Sequence, residues 1–97
     1  GLTPVVGRLL TGDDDKPGAP LVAVASHGYW EREFARDPTL PGRTVLMNGV
    51  PATIVGVSPR GFVGANVGAI ADLTIPVAAF PLVYLVLKPF ILLYRVV

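Results

Sequence analysis

The chain has 97 residues, which is the length of one domain or a part of one. Hydrophobic residues make up 52% of it and charged residues 15%, and the formal net charge of +1 gives no reason to propose nucleic acid as a partner. The absence of cysteine excludes disulfides and thiolate chemistry. No basic segment followed by an apolar one opens the sequence, so no signal peptide is predicted.

The first twenty residues predict turns and loop. Pro4 and Gly7 interrupt the apolar run of residues 1–10, which predicts a turn and about one turn of helix. Residues 11–20, TGDDDKPGAP, contain two glycines, two prolines and three adjacent aspartates. Such a composition cannot form a packed element, so this segment is predicted to be loop.

A strand and a helix are predicted next. Residues 21–25, LVAVA, form a continuous apolar run that is typical of a short strand covered on both faces. Ser26 is the predicted N-cap of the following helix, because its hydroxyl can accept from a free N–H of the first turn. The helix is expected to end at about Arg36, since Asp37 precedes Pro38 and a residue before proline disfavours helical dihedrals.

The predicted helix has one apolar and one polar side. Trp30 and Phe34 are four residues apart, so they share a face and are expected to pack together against the sheet. The charged residues supply the solvent side, where Glu33 and Arg36 are three apart and predict a weak ion pair.

A β-hairpin is the clearest local prediction. Thr44–Met47 and Val50–Val57 are rich in β-branched residues and are joined by Asn48 and Gly49. Asn-Gly between two such runs favours a type I′ turn, which needs positive φ at both positions. Pro51 lacks an N–H, so its end of the second strand is expected at a sheet edge.

The residues after this turn carry weaker signals. Alternation in the second strand predicts Thr53, Val55 and Val57 on one face and Ile54 on the other. Residues 62–71 are rich in small residues and predicted to be irregular, and residues 72–77 predict one more short strand.

The last residues, 77–97, form a strongly apolar tail whose only charges are Lys88 and Arg95. A membrane-spanning helix needs roughly 20 mostly apolar residues, but Pro81, Lys88 and Pro89 divide this tail into shorter pieces. The pattern favours a membrane-surface segment, a segment that covers the core, or a non-native end of the coding sequence over a spanning helix.

Ser26 and His27 are the first candidates for catalysis. A serine between a strand and a helix is the context of the nucleophile elbow G-x-S-x-G, but Val24 stands where the first glycine belongs. His27 is the only histidine and the immediate neighbour of Ser26, so its side chain is expected to project away from the hydroxyl. Without a second histidine a triad cannot be assembled, and a helix cap is the favoured role for Ser26.

Metal and nucleotide sites are not predicted either. The three aspartates at residues 13–15 could attract a hard cation, but a calcium loop spaces its ligands on alternate residues and ends with a chelating Glu. Solvated carboxylates are therefore the favoured interpretation. The glycines at residues 61, 64 and 68 lack the G-x-G-x-x-G spacing of a nucleotide-binding loop. We thus predict no catalytic, cofactor-binding or metal site, and no cofactor.

The combination of residues in the middle of the chain resembles the extracytoplasmic (periplasmic) core domain of MacB-like ABC transporter permeases. The nearer resemblance is to a permease group common in acidobacteria and related soil bacteria. It covers residues 1–77 and depends on these positions: Ser26, Trp30, Phe34, Pro38, Gly42-Arg43, Asn48-Gly49, residues 54–57, Pro59, Gly61 and Phe62. Where the family usually has an aromatic residue after Asp-Leu, this chain has Thr74.

The predicted elements give an α+β fold, with a strand, a helix and a β-hairpin around a small mixed or antiparallel sheet. The chain departs from the family at its apolar tail, where family members continue with a mostly polar segment. We therefore predict a partial core domain at residues 1–76, an apolar tail at residues 77–97, and a chain that is a fragment of a permease. The implied role is non-catalytic: coupling ATP-driven motion to a substrate or partner on the extracytoplasmic side of the cell membrane. The implied partners are the rest of the permease and a separate ATPase subunit or domain.

Two other function classes are weighed against this one. The chain could be a free-standing interaction module that docks a partner or a membrane through the tail at residues 77–97. An esterase-like enzyme that uses Ser26 is the third hypothesis, and the missing general base argues against it.

Overall fold

The computed structural model describes residues 3–47, 49–61, 72–76 and 93–94, the last pair as backbone only. Within these residues the chain forms an α+β fold with one α-helix and one mixed sheet, as predicted. A single 3₁₀ turn at Gly12–Asp14 precedes the second strand. The elements are β1 Val6–Gly7, β2 Val22–Ala25, α1 His27–Phe34, β3 Thr44–Met47, β4 Val50–Val57, β5 Leu73–Thr74 and β6 Leu93–Tyr94.

The sheet has β2 and β4 at its centre, in the order β1-β4-β2-β5-β6, and β3 also pairs with β4. Strand β2 runs parallel to β4 and antiparallel to β5, and the other pairs are antiparallel. The predicted strand near residues 72–77 is present as β5. The irregular segment predicted at residues 62–71 lies outside the described residues, and so does the tail apart from β6.

Strand β2 is buried along its whole length, which confirms the prediction of a strand covered on both faces. Ala23 and Ala25 lie in the main core cluster beneath α1. Val22 and Val24 are also buried but lie outside that cluster, because alternate residues of a strand point to opposite faces.

Two aromatic residues fix α1 to the sheet. Trp30 is buried in the core cluster and Phe34 packs against it, as predicted. The Trp30 indole N–H donates a hydrogen bond of 2.7 Å to the Asp37 carbonyl, so its polar atom is satisfied as well. Tyr29 is buried too, with its ring edge-on to Phe34 at 5.2 Å, and this contribution was not predicted.

Helix α1 ends at Phe34, two residues earlier than predicted. Ala35 and Arg36 adopt left-handed φ angles of 48° and 59°, which break the helix before the Asp-Pro sequence is reached. The N–H of Arg36 donates to the Trp30 carbonyl at 3.2 Å and satisfies one free acceptor of the last turn.

The hairpin of β3 and β4 has the predicted bounds and a connection of two residues. Gly49 has φ +88°, as a type I′ turn requires, while Asn48 lies outside the described residues. Pro51 is exposed, and pairing of β4 with β2 starts only at Thr53. The predicted edge position of Pro51 is confirmed, because β2 does not extend that far.

A bulge in β4 changes the predicted facing of Val57. Ala23 and Val24 of β2 stand opposite Ile54 and Gly56, so β4 carries one extra residue at this point. Beyond the bulge, Val57 is fully buried in the same core cluster as Ile54. The prediction that Val57 faces away from Ile54 is therefore wrong, because a bulge resets the two-residue period.

Residues 3–10 contain a strand rather than the predicted helical turn, so that prediction is wrong for the described part of this segment. Val6–Gly7 pairs antiparallel with the end of β4, with Gly7 opposite Gly56. A Cβ on Gly7 would collide with the Val55 carbonyl oxygen, and one on Gly56 would collide with the backbone of Arg8. Only glycines permit this close approach, and Gly7 also has a left-handed φ of +67°.

Candidate functional site

The junction between β2 and α1 carries the residues that the sequence singled out. The Ser26 hydroxyl accepts a hydrogen bond of 3.1 Å from the Tyr29 N–H, which confirms the predicted helix cap. The N–H of Ser26 donates to the Asp72 carbonyl at 2.8 Å. On the other side, the Ala25 carbonyl accepts from the N–H and the hydroxyl of Ser58 at 2.9 and 3.3 Å. Both flanking segments are therefore bonded to this junction.

His27 begins α1 and is held by neighbours on the same helix. Its Nδ1 lies 3.0 Å from Glu31 Oε1, one helical turn away, and its ring meets Trp30 edge-on at 5.3 Å. Across the described part of the chain, no group of three or more His, Cys, Asp or Glu side chains could hold a metal ion. The contacts of His27 that the structure shows are those of a helix-stabilising residue.

Glu31 is the centre of an ion-pair network on the exposed side of α1. It accepts two hydrogen bonds from Arg36, one of 2.9 Å from Nε, and Nη2 of Arg60 lies 3.4 Å away. The hydrogen bonds from Arg36 lower the pKa of the Glu31 carboxyl. The predicted pair of Glu33 with Arg36 is wrong: Arg36 turns back to Glu31, and Glu33 pairs with Arg32 at 3.0 Å.

Arg32 pairs with the most buried carboxylate among the ion pairs that the structure describes. Its Nη2 lies 3.1 Å from Oδ2 of Asp72, whose side chain is only 4% exposed. The hydrogen bond to Asp72 raises the pKa of the Arg32 guanidinium, which also lies over the Tyr29 ring at 5.7 Å. Sequence reasoning missed this pair, because the two residues are distant in the chain and no local pattern relates them.

The acidic loop has a structural role that differs from the predicted one. Asp14 accepts two hydrogen bonds from Arg8, of 2.8 and 3.0 Å, and one of 2.8 Å from the Thr11 N–H. These bonds, with Arg8 as the largest cause, lower the pKa of Asp14 to about 2. Asp13, by contrast, is highly exposed and pairs with Lys16. Asp14 is therefore not simply solvated, since it holds the 3₁₀ turn against β1.

Two further sequence observations have limited outcomes. Gly61 has a positive φ of 82° directly after Arg60, while Gly64 and Gly68 lie outside the described residues, so the argument from glycine spacing stays a prediction. Among the described residues, no helix has both the length and the apolar character needed to cross a bilayer.

The fold and these contacts define a small α+β domain whose polar side chains join its secondary-structure elements to one another. A model of the MacB-like periplasmic core domain family matches residues 1–91, and the chain belongs to this family. Family members are extracytoplasmic domains of ABC transporter permeases, membrane proteins that assemble with an ATPase subunit. No curated protein and no solved structure matches the chain significantly.

Proposed function

We propose that this chain is a non-catalytic, mechanical part of an ABC-type permease. In this role it passes motion driven by ATP hydrolysis to a substrate or partner on the periplasmic side of the cell membrane. The observation that carries the proposal is the family match over residues 1–91. No cofactor, metal or nucleic acid takes part in the proposed role.

The contacts of the chemically capable side chains support a mechanical role. Ser26 caps α1, His27 contacts Glu31, and Asp72 receives Arg32. In the described residues, every buried side-chain nitrogen or oxygen has a hydrogen-bond partner. Networks satisfied in this way make a core rigid, and rigidity is what a domain needs in order to transmit displacement.

The partners of the proposed assembly are the remainder of a permease and a separate ATPase subunit or domain. The proposal is tested in a permease that carries this domain and is assembled with its ATPase. Removal of residues 1–76 is expected to leave ATP hydrolysis and co-purification of the ATPase intact while substrate transport is lost.

The matched control for this experiment is Gly28→Ala, which adds a methyl group that meets no atom outside its own helical turn within 4 Å. This variant is expected to retain both transport and ATP hydrolysis. Transport that persists after removal of the domain would contradict the mechanical role. Loss of the ATPase from the purified complex would instead show that the domain serves assembly.

We also propose that residues 1–76 are the core unit and residues 77–97 an appended tail. Backbone pairing of Leu93–Tyr94 with Leu73–Thr74 crosses this boundary, so the two parts share a sheet edge. Unfolding of the 1–76 chain and the full chain in urea separates the possibilities. Equal stability supports an independent core, and failure of the shorter chain to fold contradicts it.

The second candidate function is an interaction module that docks a partner or a membrane through residues 77–97. It is favoured by the composition of the tail, which contains only two charged residues, Lys88 and Arg95. Flotation with vesicles of phosphatidylethanolamine and phosphatidylglycerol distinguishes this candidate. Binding by the full chain and not by residues 1–76 would favour membrane docking, and no binding by either would contradict it.

A further inference from the structure

Residues 61–71 lie between Arg60 and Asp72 in the connection from β4 to β5, and both of these flanking residues contact α1. Arg60, before the segment, contacts Glu31, and Asp72, after it, contacts Arg32. Two consecutive residues of one helix therefore touch the two ends of one connection.

The order of the charges allows only one arrangement of these contacts. The helix presents an anion followed by a cation, and the connection presents a cation at Arg60 and an anion at Asp72. Exchanging the partners would place Arg60 beside Arg32 and Asp72 beside Glu31. Both of those contacts would be repulsive, so the charges specify which flank lies at which position.

The two contacts differ in burial and therefore in expected strength. Asp72 is almost completely buried, and its carbonyl accepts the hydrogen bond of 2.8 Å from the Ser26 N–H. Arg60 is 68% exposed and its distance to Glu31 is 3.4 Å, so solvent and salt weaken this contact. Asp72 is held through its carboxylate by Arg32 and through its carbonyl by the Ser26 N–H. Its contact with α1 is therefore the stronger of the two.

We propose that Glu31 and Arg32 form a two-point ionic clamp that holds Arg60, which follows β4, and Asp72, which precedes β5, against α1. The clamp makes α1, the exit of β4 and the entrance of β5 a single unit. The clamp does not rest on the proposed function. Both helix residues are positioning residues in this scheme.

Amide hydrogen exchange, followed residue by residue by NMR on the full chain, tests the clamp. The reporter is the Ser26 N–H, which bonds to the Asp72 carbonyl, and the reference is the Thr53 N–H, which bonds to the Leu21 carbonyl at 3.1 Å. Arg32→Met removes the charge and retains most of the side-chain length. Exchange at Ser26 is expected to rise about tenfold in this variant, with less than about a twofold change at Thr53.

Three further variants sharpen the test. Arg60→Met is expected to raise exchange at Ser26 only about twofold, because its contact is exposed. Combining Arg32→Met with Asp72→Asn is expected to add little beyond the larger single effect, since both changes remove the same contact. Lys16→Met, which breaks an exposed ion pair elsewhere, is the matched control and should leave exchange at Ser26 unchanged.

Specific outcomes would overturn the clamp. Unchanged exchange at Ser26 in Arg32→Met, or an equal rise at Ser26 and Thr53, would show that Arg32 does not act locally. If Asp72→Asn does not fold, Arg32→Lys is measured in its place, because lysine restores the charge. Exchange at Ser26 should then be slower than in Arg32→Met and closer to the parent rate. Exchange as fast as in Arg32→Met would contradict the ionic mechanism. These measurements involve no ATPase, so a negative result leaves the proposed transport role intact, and a failed transport experiment leaves the clamp intact.

Discussion

The region at residues 21–57 and the N-terminal region at residues 3–20 are held in different ways. In the first, residues close in sequence form each element. Helix α1 has a capping serine and two aromatic residues four positions apart, and the β3–β4 hairpin has a two-residue turn. In the second, the short β1 exists because β4 lies beside it, and Arg8 and Asp14 hold the loop that follows. Local patterns therefore predict the first region, whereas contacts with a distant strand shape the second.

The largest effect is expected from Trp30→Ala in the helix and hairpin region. The indole is buried in the core and also bonds to Asp37, so the change should lower the free energy of unfolding by roughly 3–5 kcal/mol. Urea unfolding measures this loss. Leu46→Ala is the matched control, since Leu46 is a large hydrophobic residue that is 64% exposed. This change should lower the free energy of unfolding only slightly. Equal stability of the Trp30 variant and the parent would contradict the packing of α1 on the core through Trp30.

The next effect tests the N-terminal region through Gly56→Ala. The added methyl group collides with the backbone of Arg8, so β1 must move away, at a cost of about 1–3 kcal/mol in unfolding free energy. Gly28→Ala is the control, because it adds the same group to α1 in open space and should be neutral or stabilising. Identical melting temperatures for the two variants would contradict the close packing of β1 on β4.

A smaller effect is expected when Ser26 loses its cap. Ser26→Ala removes the acceptor for the Tyr29 N–H and should lower the unfolding free energy by about 1 kcal/mol. Ser26→Asp supplies another acceptor and should retain most of the parent's stability. Thermal unfolding monitored by circular dichroism measures both variants. If the aspartate variant is as unstable as the alanine variant, the hydroxyl has a role other than capping.

The remaining prediction concerns pH and the loop of the N-terminal region. Because the folded-state pKa of Asp14 is about 2, below its ordinary value of 3.8, the carboxylate stabilises the fold above pH 4. This contribution is lost as the pH falls from about 4 toward 2, where Asp14 is protonated.

Unfolding of the parent and Asp14→Asn across this pH range measures the loss. The difference in stability between them should shrink as the pH falls. Asp13→Asn removes an exposed carboxylate from the same turn and controls for the change in net charge. A difference between parent and Asp14→Asn that does not vary with pH would contradict the Arg8 contact.

The candidate site shows the same division between local and distant information. The cap at Ser26 follows from its place between an apolar run and an amphipathic segment, and the structure confirms it. The contacts of Arg32 with Asp72 and of Arg60 with Glu31 could not be predicted, because charged residues carry no periodic signal that selects a partner elsewhere in the chain. The end of β4 brings Arg60 to Glu31, and the return of the chain to β5 brings Asp72 to Arg32.

The amino-acid sequence by itself determined the α+β class, the bounds of the hairpin strands, the buried character of β2 and the cap of α1. It could do so because the apolar period, the turn chemistry and the capping hydroxyl act over a few residues. Tertiary structure decided where β1 pairs, how the bulge turns Val57 into the core, and which charges meet. Those outcomes depend on which segments lie side by side, and that depends on the packing of the whole sheet.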